Sequence, residues 1–480
     1  MQPKIILTRK SRQIENLVLL LTDDEHFPAG LFTKAEKSYI RVQKDKHKKE
    51  FISFNRLEFR IYIYFIKKEL DAHKLMEECR RMGDKVGSCL NDHKVKNAVI
   101  YDPGSKGKEA LAFAEGMALG SYQFLKYKNE EKTGNSLQEI QICSGSVEES
   151  DIKQLNIIVD AVYRCRTLIN EPNSYLTASV FGSEVEKLAK DCGARAEVMN
   201  KKKLEALKMG GILAVNKGSD EPPTFTVMEW NPSSARNTKP FVFIGKGVVF
   251  DSGGMNLKPG NSMLDMKDDM SGAASVATVI YAIAKAKLPV HIIGLMPATD
   301  NRPGAQAIVP GDVIRMHSGM NVEVIDTDAE GRMILADALS YAKKYNPGLV
   351  IDLATLTGSA VRAVGKAAAV VMQNKAEKEV ITLKNSGLEV HERLVEFPMW
   401  EDYADFLKSE VADIKNLGPP EAGAITAAKF LEKFTGYPYI HIDIAGPAFL
   451  DKRDSYRGQG GTGFGVRLLF NFINKIVIDH

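Results

Sequence analysis

Along this chain, short and nearly continuous apolar runs alternate with longer stretches in which apolar residues return every third or fourth position. Runs at 241–250, 290–296, 322–325, 349–353 and 439–444 predict strands, and the helical spacing at 271–287, 332–344 and 424–434 predicts helices between them. Strands apolar on both faces and interleaved with helices predict an α/β fold with a mostly parallel central sheet covered by helices. Upstream, strand-like segments at 16–21, 59–65 and 96–101 mix with helical ones at 71–90 and 108–127, which predicts a smaller α/β domain. The polar segment 143–149 reads as a linker, and 151–169 reads as a helix ended by Asn170, Glu171 and Pro172. The expected layout is an N-terminal α/β domain over 1–150, a linking helix over 151–172 and a larger α/β domain over 173–480.

Length and composition agree with two soluble domains: 480 residues exceed the size at which one core keeps growing, and the apolar fraction is 44%. Acids and bases nearly balance at a formal charge of +3, so the whole chain makes no case for nucleic acid or membrane as a partner. A local basic run, Lys44, Lys46, Lys48 and Lys49 with His47, is either a solvated loop or a binding patch. Five scattered cysteines with no CxxC pair read as reduced thiols of a cytoplasmic protein. The apolar run 17–21 is too short for a signal core or a membrane span and reads as a strand.

Two stretches change the picture: KGVVFDSGGMNLKPGNSMLDMKDD over 246–269 and DTDAEGR over 326–332. They set Lys246, Asp251, Lys258, Asp269, Asp328, Glu330 and Arg332 at or beside the ends of apolar segments, where ionised groups are costly unless paired or metal-bound. In a parallel sheet those ends form the rim where ligands bind. Taken singly, Asp269 could cap the helix near Ser271, and Asp328 and Glu330 could favour the positive end of the helix after them. Lys246 lies within a buried-looking run, so it must pair with a carboxylate or lose its proton, and a neutral amine can ligate a metal. Four carboxylates on one rim repel one another, and two divalent cations would cancel their charge. With oxygen donors, one amine and no histidine or cysteine in the motifs, the candidates are Mn²⁺, Zn²⁺ or Mg²⁺. Such a pair can share and activate a water and polarise a carbonyl or phosphoryl oxygen, which implies hydrolysis. Lys258 and Arg332 then remain to stabilise an oxyanion or hold an anion.

Competing motifs fit less well. DSGG at 251–254 also surrounds the nucleophile of chymotrypsin-like proteases, but this chain reads as α/β and lacks a matching histidine and disulfide context. GQGGTG at 458–463 matches GxGxxG, yet it follows a charged loop and too little chain remains for the required βαβ unit, so it reads as a turn.

GKGVVFDSGG, Lys258, DMKDDMSGAA, DTDAEGR, DLATLTGS and DIAGPA together resemble the leucyl aminopeptidase family, two-metal cytosolic exopeptidases of peptidase family M17. The resemblance spans roughly residues 155–480 and is loose before that. It implies that Lys246, Asp251, Asp269 and Glu330 hold the tighter ion, and that Asp251, Asp328 and Glu330 hold the more exchangeable one. By the same resemblance Lys258 polarises the scissile carbonyl, Arg332 holds a bicarbonate ion acting as general base, and Asp269 receives the substrate's free α-amine. The side-chain pocket would be lined by Met266, Thr355, Leu356, Gly358, Ala445 and Ala448, suiting leucine and similar residues. Further implications are peptide substrates with a free N-terminus, a homohexamer and a cytoplasmic location. One departure stands out: Asp326 occupies the position where the family usually has Asn. Two other readings remain open, a two-metal phosphoesterase and a DNA-binding role added to peptide hydrolysis.

Overall fold

Two units make up the computed structural model, which describes residues 2–9, 16–22, 27–67, 70–104, 106–129 and 134–478. One unit runs through Tyr163 and includes Glu389–His391 and Lys452–Gly458; the remainder forms the other.

The first unit holds a six-stranded sheet of β1 (Lys4–Leu7), β2 (Leu17–Leu21), β3 (Phe51–Asn55), β4 (Arg60–Phe65), β5 (Asn97–Asp102) and β6 (Glu139–Ser144), ordered β1-β6-β5-β2-β4-β3. β2 lies between β4 and β5 and is buried throughout, which is why it reads LVLLL without alternation. β3 closes the edge antiparallel to β4. Helices Ala72–Asp92 and Gly107–Gly120 pack together so closely that a Cβ on Gly116 would lie 1.9 Å from the Arg80 carbonyl oxygen. The second helix ends earlier than the predicted 108–127. Ser121 Oγ donates back to the Met117 carbonyl at 2.8 Å, and the Ser121 carbonyl accepts Asn135 Nδ2 at 2.9 Å, which satisfies the helix end. Cys143 and Ser144, assigned to a linker by their polar surroundings, instead finish β6, where Ser144 Oγ donates to Asp102 Oδ2 at 2.8 Å. The basic run begins in the last turn of helix Lys34–Asp45, where Lys44 lies over the Phe65 ring at 4.4 Å, and continues past it with Lys46, His47, Lys48 and Lys49 solvent-facing.

Helix Glu149–Asn170 begins in the first unit and ends in the second. The second unit has a nine-stranded, mostly parallel sheet. Its strands are β7 (Arg195–Met199), β8 (Thr224–Trp230), β9 (Phe241–Gly245), β10 (Gly247–Asp251), β11 (Ile292–Asn301), β12 (Leu349–Ala354), β13 (Ala369–Asn374), β14 (Leu394–Glu396) and β15 (Tyr439–Asp443). β11, β9, β12 and β15 are mutually parallel neighbours, whereas β8 and β13 run antiparallel to β11 and β15. Val242 and Ile244 of β9 join the core cluster that holds Met333 to Leu335 of helix Glu330–Ala342. The opposite face meets helix Ser271–Lys285: a Cβ on Gly245 would lie 2.4 Å from Ala273 Cα. Two helices thus sandwich one strand, as its alternating faces require.

Three expectations are corrected here. The run 241–250 is two strands broken at Lys246, whose N–H still bonds to Leu353 of β12 but whose carbonyl accepts from Ala273 of helix Ser271–Lys285. The run 322–325 lies outside the main sheet: Asn321–Glu323 forms a small separate sheet with Val313–Arg315 and Ile414–Lys415. The helix expected from Arg332 begins at Glu330, which brings a carboxylate into its first turn.

Candidate metal centre

Parallel strands place their carboxyl ends on one edge, and the motif residues gather there. Lys246 follows β9, Thr355 follows β12, and Asp251 ends β10 in register with Asn301 at the end of β11. Asp269 comes two residues before helix Ser271–Lys285, and Glu330 opens its own helix. The glycine in DAEGR has a steric reason. A Cβ on Gly331 would lie 2.4 Å from Lys246 Cε, so the lysine stem crosses where a side chain would stand.

Lys246 Nζ lies 2.7 Å from Asp269 Oδ1 and 2.9 Å from Glu330 Oε1, and donates to the Thr355 carbonyl at 2.9 Å. Lys258 Nζ lies 2.7 Å from both Asp251 Oδ2 and Asp328 Oδ1. Lys246 meets the demand of a buried lysine by pairing, and a divalent ion among the same carboxylates would take the place of its proton. Burial opposes the Lys246 charge, but Asp269, Glu330 and Asp251 outweigh it and hold its pKa above the ordinary lysine value. The carboxylates show the reverse strain. Burial raises Asp269 well above its usual range, the Glu330 and Asp251 charges add to this, and Lys246 offsets it in part. Burial and the charges on Asp251 and Glu330 push Asp328 up to about 7. Burial brings Arg332 down to about 10 against the pull of Glu330.

This cluster fits divalent ions. Asp251, Asp328 and Glu330 each offer an oxygen, all within 4.8 Å of one another. Asp269 Oδ2 and Glu330 Oε2 are buried without a hydrogen-bond partner, an expense that a cation would relieve. The helix-capping alternative fails: the residues at the cap positions are Met270 and Ala329, and neither helix has a side-chain cap bond. An oxygen-rich set with one amine matches hard to borderline metals.

Several supporting residues escaped the sequence reading. Asn301 Nδ2 donates to Asp251 Oδ1 at 2.8 Å and to the Thr327 carbonyl at 3.0 Å. Thr327 and Asn256 bond reciprocally, with Thr327 N to Asn256 Oδ1 at 3.0 Å and Asn256 N to Thr327 Oγ1 at 2.8 Å. Asp443 accepts from Leu356 N, Thr357 Oγ1 and Ala445 N, which fixes the loop after β12. Asp326 Oδ1 accepts the Asp328 N–H at 2.9 Å, so this carboxylate shapes the loop. A polar TDN directly after an apolar run was a usable signal for Asn301; Asn256, Thr327 and Asp443 stand inside the motifs with nothing to mark their partners, and Asp326 stood out only as a departure from the family's Asn.

The pocket candidates have mixed settings. Thr355 Oγ1 donates to Asp269 Oδ1 at 2.8 Å. Met266 and Ala445 are half-buried, and Gly358 is exposed at the start of helix Gly358–Val364. Leu356 packs against the main core cluster, and Ala448 is 1% exposed, with its carbonyl bonded to Thr462.

Residues 163–470 match the catalytic domain of the cytosol aminopeptidase family. A probable cytosol aminopeptidase of Chlorobium limicola is 42% identical over 409 residues, covering 80% of each chain. A namesake from Geobacter sulfurreducens is 43% identical over 410 residues, covering 84% of this chain and 82% of its own. A mutant of tomato leucine aminopeptidase superposes with a TM-score of 0.87 at 25% identity, over 99% of this chain and 97% of its own. The bottromycin maturation enzyme BotP, solved in complex with Mn, does so at 0.84 and 26% identity, over 96% and 99%. With this motif set on this rim, the chain belongs to the cytosol aminopeptidase family, peptidase family M17, and is a metallo-exopeptidase hydrolase.

Proposed function

We propose that this rim binds two divalent ions and removes the N-terminal residue, leucine or another apolar one, from peptides. The observation that carries the reading is the convergence of Asp251, Asp328 and Glu330 oxygens within 4.8 Å, joined through Lys246 to Asp269. Lys246, Asp251, Asp269 and Glu330 would hold the tighter ion; Asp251, Asp328 and Glu330 the exchangeable one, with Zn²⁺ or Mn²⁺ favoured and Mg²⁺ admitted by the same donors. Bound there, the ions supply Lewis acidity and an activated water.

The chain's own groups do the rest. The substrate's free α-amine would bind at the tighter ion and Asp269, whose buried Oδ2 has no partner. A blocked amine would leave that carboxylate unsatisfied, which costs about 1–3 kcal/mol or more. Lys258, half-buried between Asp251 and Asp328, would donate to the oxyanion as the carbonyl becomes tetrahedral. Arg332 keeps a buried Nε with no partner, a donor suited to bicarbonate, which supplies a proton acceptor. Met266, Thr355, Leu356, Gly358, Ala445 and Ala448 would line the pocket for the first side chain. Among the described residues no helix is long and apolar enough to cross a membrane, and with relatives named for the cytosol we place the enzyme in the cytoplasm.

Lys258→Ala tests the division of labour against Asp251→Ala. The first should lower turnover by about 100-fold or more while Mn²⁺ uptake persists; the second should lose both. Full metal occupancy in Asp251→Ala would refute the bridging role.

A further inference from the structure

Asn416 reaches from far along the chain to the segment 323–332, holding both the loop before Asp328 and Arg332. It is 1% exposed and follows Ile414–Lys415, which pairs in parallel with Asn321–Glu323. Where that pairing stops, its side chain continues it. Oδ1 accepts the N–H groups of Ile325 at 2.7 Å and Asp326 at 3.3 Å, and Nδ2 donates to the Asp326 carbonyl at 2.7 Å. Its backbone is committed as well: N–H to the Glu323 carbonyl at 2.9 Å, and carbonyl to Arg332 Nη1 at 2.7 Å. Asp326 passes the constraint on by accepting the Asp328 N–H.

The ligands differ in how they are held. Lys246 follows a central strand, and Asp269 and Glu330 sit at helix starts, all buried. Asp328 is the least buried of them, with 35% of its side chain exposed, on a loop outside the main sheet. Its position depends on whatever anchors that loop.

We propose that Asn416 is a positioning residue: its side chain fixes the loop carrying Asp328, and its carbonyl fixes Arg332, so both keep one geometry relative to the ions and the anion. The proposal rests on the two-ion reading above. It predicts an asymmetric defect, confined to the exchangeable ion and to turnover.

The test uses the full chain and its Asn416→Ala and Asn416→Ser variants, titrated with Mn²⁺ and followed by the EPR signal of the free ion. Circular dichroism and steady-state kinetics on Leu-p-nitroanilide accompany it. Wild type should bind two ions in distinguishable classes. Both variants should weaken the looser class by about 10–100-fold and leave the tighter class within about twofold. kcat should fall by about tenfold or more while KM moves by less than about threefold. A serine hydroxyl is too short to make both amide bonds, so it should fail in the same direction while perturbing packing less. Equal weakening of both classes, wild-type behaviour, or loss of the native fold in both variants would overturn the proposal. Wild-type protein that takes up no Mn²⁺ would overturn the two-ion reading and this proposal with it, a pattern distinguished by a defect present before any substitution.

Discussion

At the scale of single residues, the site is a set of charges that would not tolerate one another without help. Asp251 shows how the help is arranged: Oδ2 faces Lys258, while Oδ1 is held by the Gly253 N–H at 2.9 Å and by Asn301. Removing Asn301 should therefore loosen the carboxylate proposed to bridge both ions. Asn301→Ala is expected to weaken Mn²⁺ binding by about 10–100-fold in calorimetric titration, and unchanged affinity would mean that Asn301 does not orient Asp251. The charged residues were legible because charge beside apolar runs demands an explanation. Their neutral partners were not. Asn416 reaches Arg332 across 84 positions of sequence, and no local pattern encodes such a contact. Asp326 was legible as a departure from the family's Asn, and its carboxylate now has a role, an acceptor for the Asp328 N–H.

At the scale of elements, the pair β12 and β15 carries a buried charge network beneath the rim. Asp352 stands opposite His441; its Oδ1 lies 2.7 Å from His441 Nδ1, and its Oδ2 accepts the Tyr439 hydroxyl. Burial opposes a charge on His441, but Asp352 outweighs it and holds the imidazole pKa above its ordinary value of 6.5. The stability this pair contributes is full below the unfolded pKa and is lost as pH rises through the raised folded one. Breaking a buried pair from one side costs about 3–5 kcal/mol, so His441→Gln should lower the urea midpoint clearly at about pH 6 and less at about pH 9. A gap that widened with pH would contradict this sign. The apolar pattern correctly placed strands at 349–353 and 439–444, yet it could not see a charged pair between them, because Asp352 and His441 each look like an isolated interruption. It also joined 241–250 into one strand. Lys246 breaks that run by giving its carbonyl to the Ala273 N–H of a helix, and a hydropathy pattern does not name hydrogen-bond partners. For the same reason 322–325 was assigned to the main sheet instead of to its own small one.

At the scale of the whole molecule, strands and helices alternating through the second unit made the α/β class and the mostly parallel sheet readable from sequence. The division of the chain was harder to read. Residues 389–391 and 452–458 group with the first unit although they lie far along the chain, and the charge of the second segment does not say which unit it joins. The resemblance to hexameric enzymes leads us to propose a homohexamer. A 53.0 kDa chain should then give a light-scattering mass of about 320 kDa, and a monomer mass would contradict it. The central claim, that metal and a free substrate amine meet on this rim, is tested most directly by comparing Leu-p-nitroanilide with its N-acetylated form before chelation, after it, and with Mn²⁺ or Zn²⁺ restored. The account predicts cleavage of the free-amine substrate alone, abolished by chelation and recovered with metal. Equal cleavage of the blocked substrate, or full activity after the metal is stripped, would contradict it.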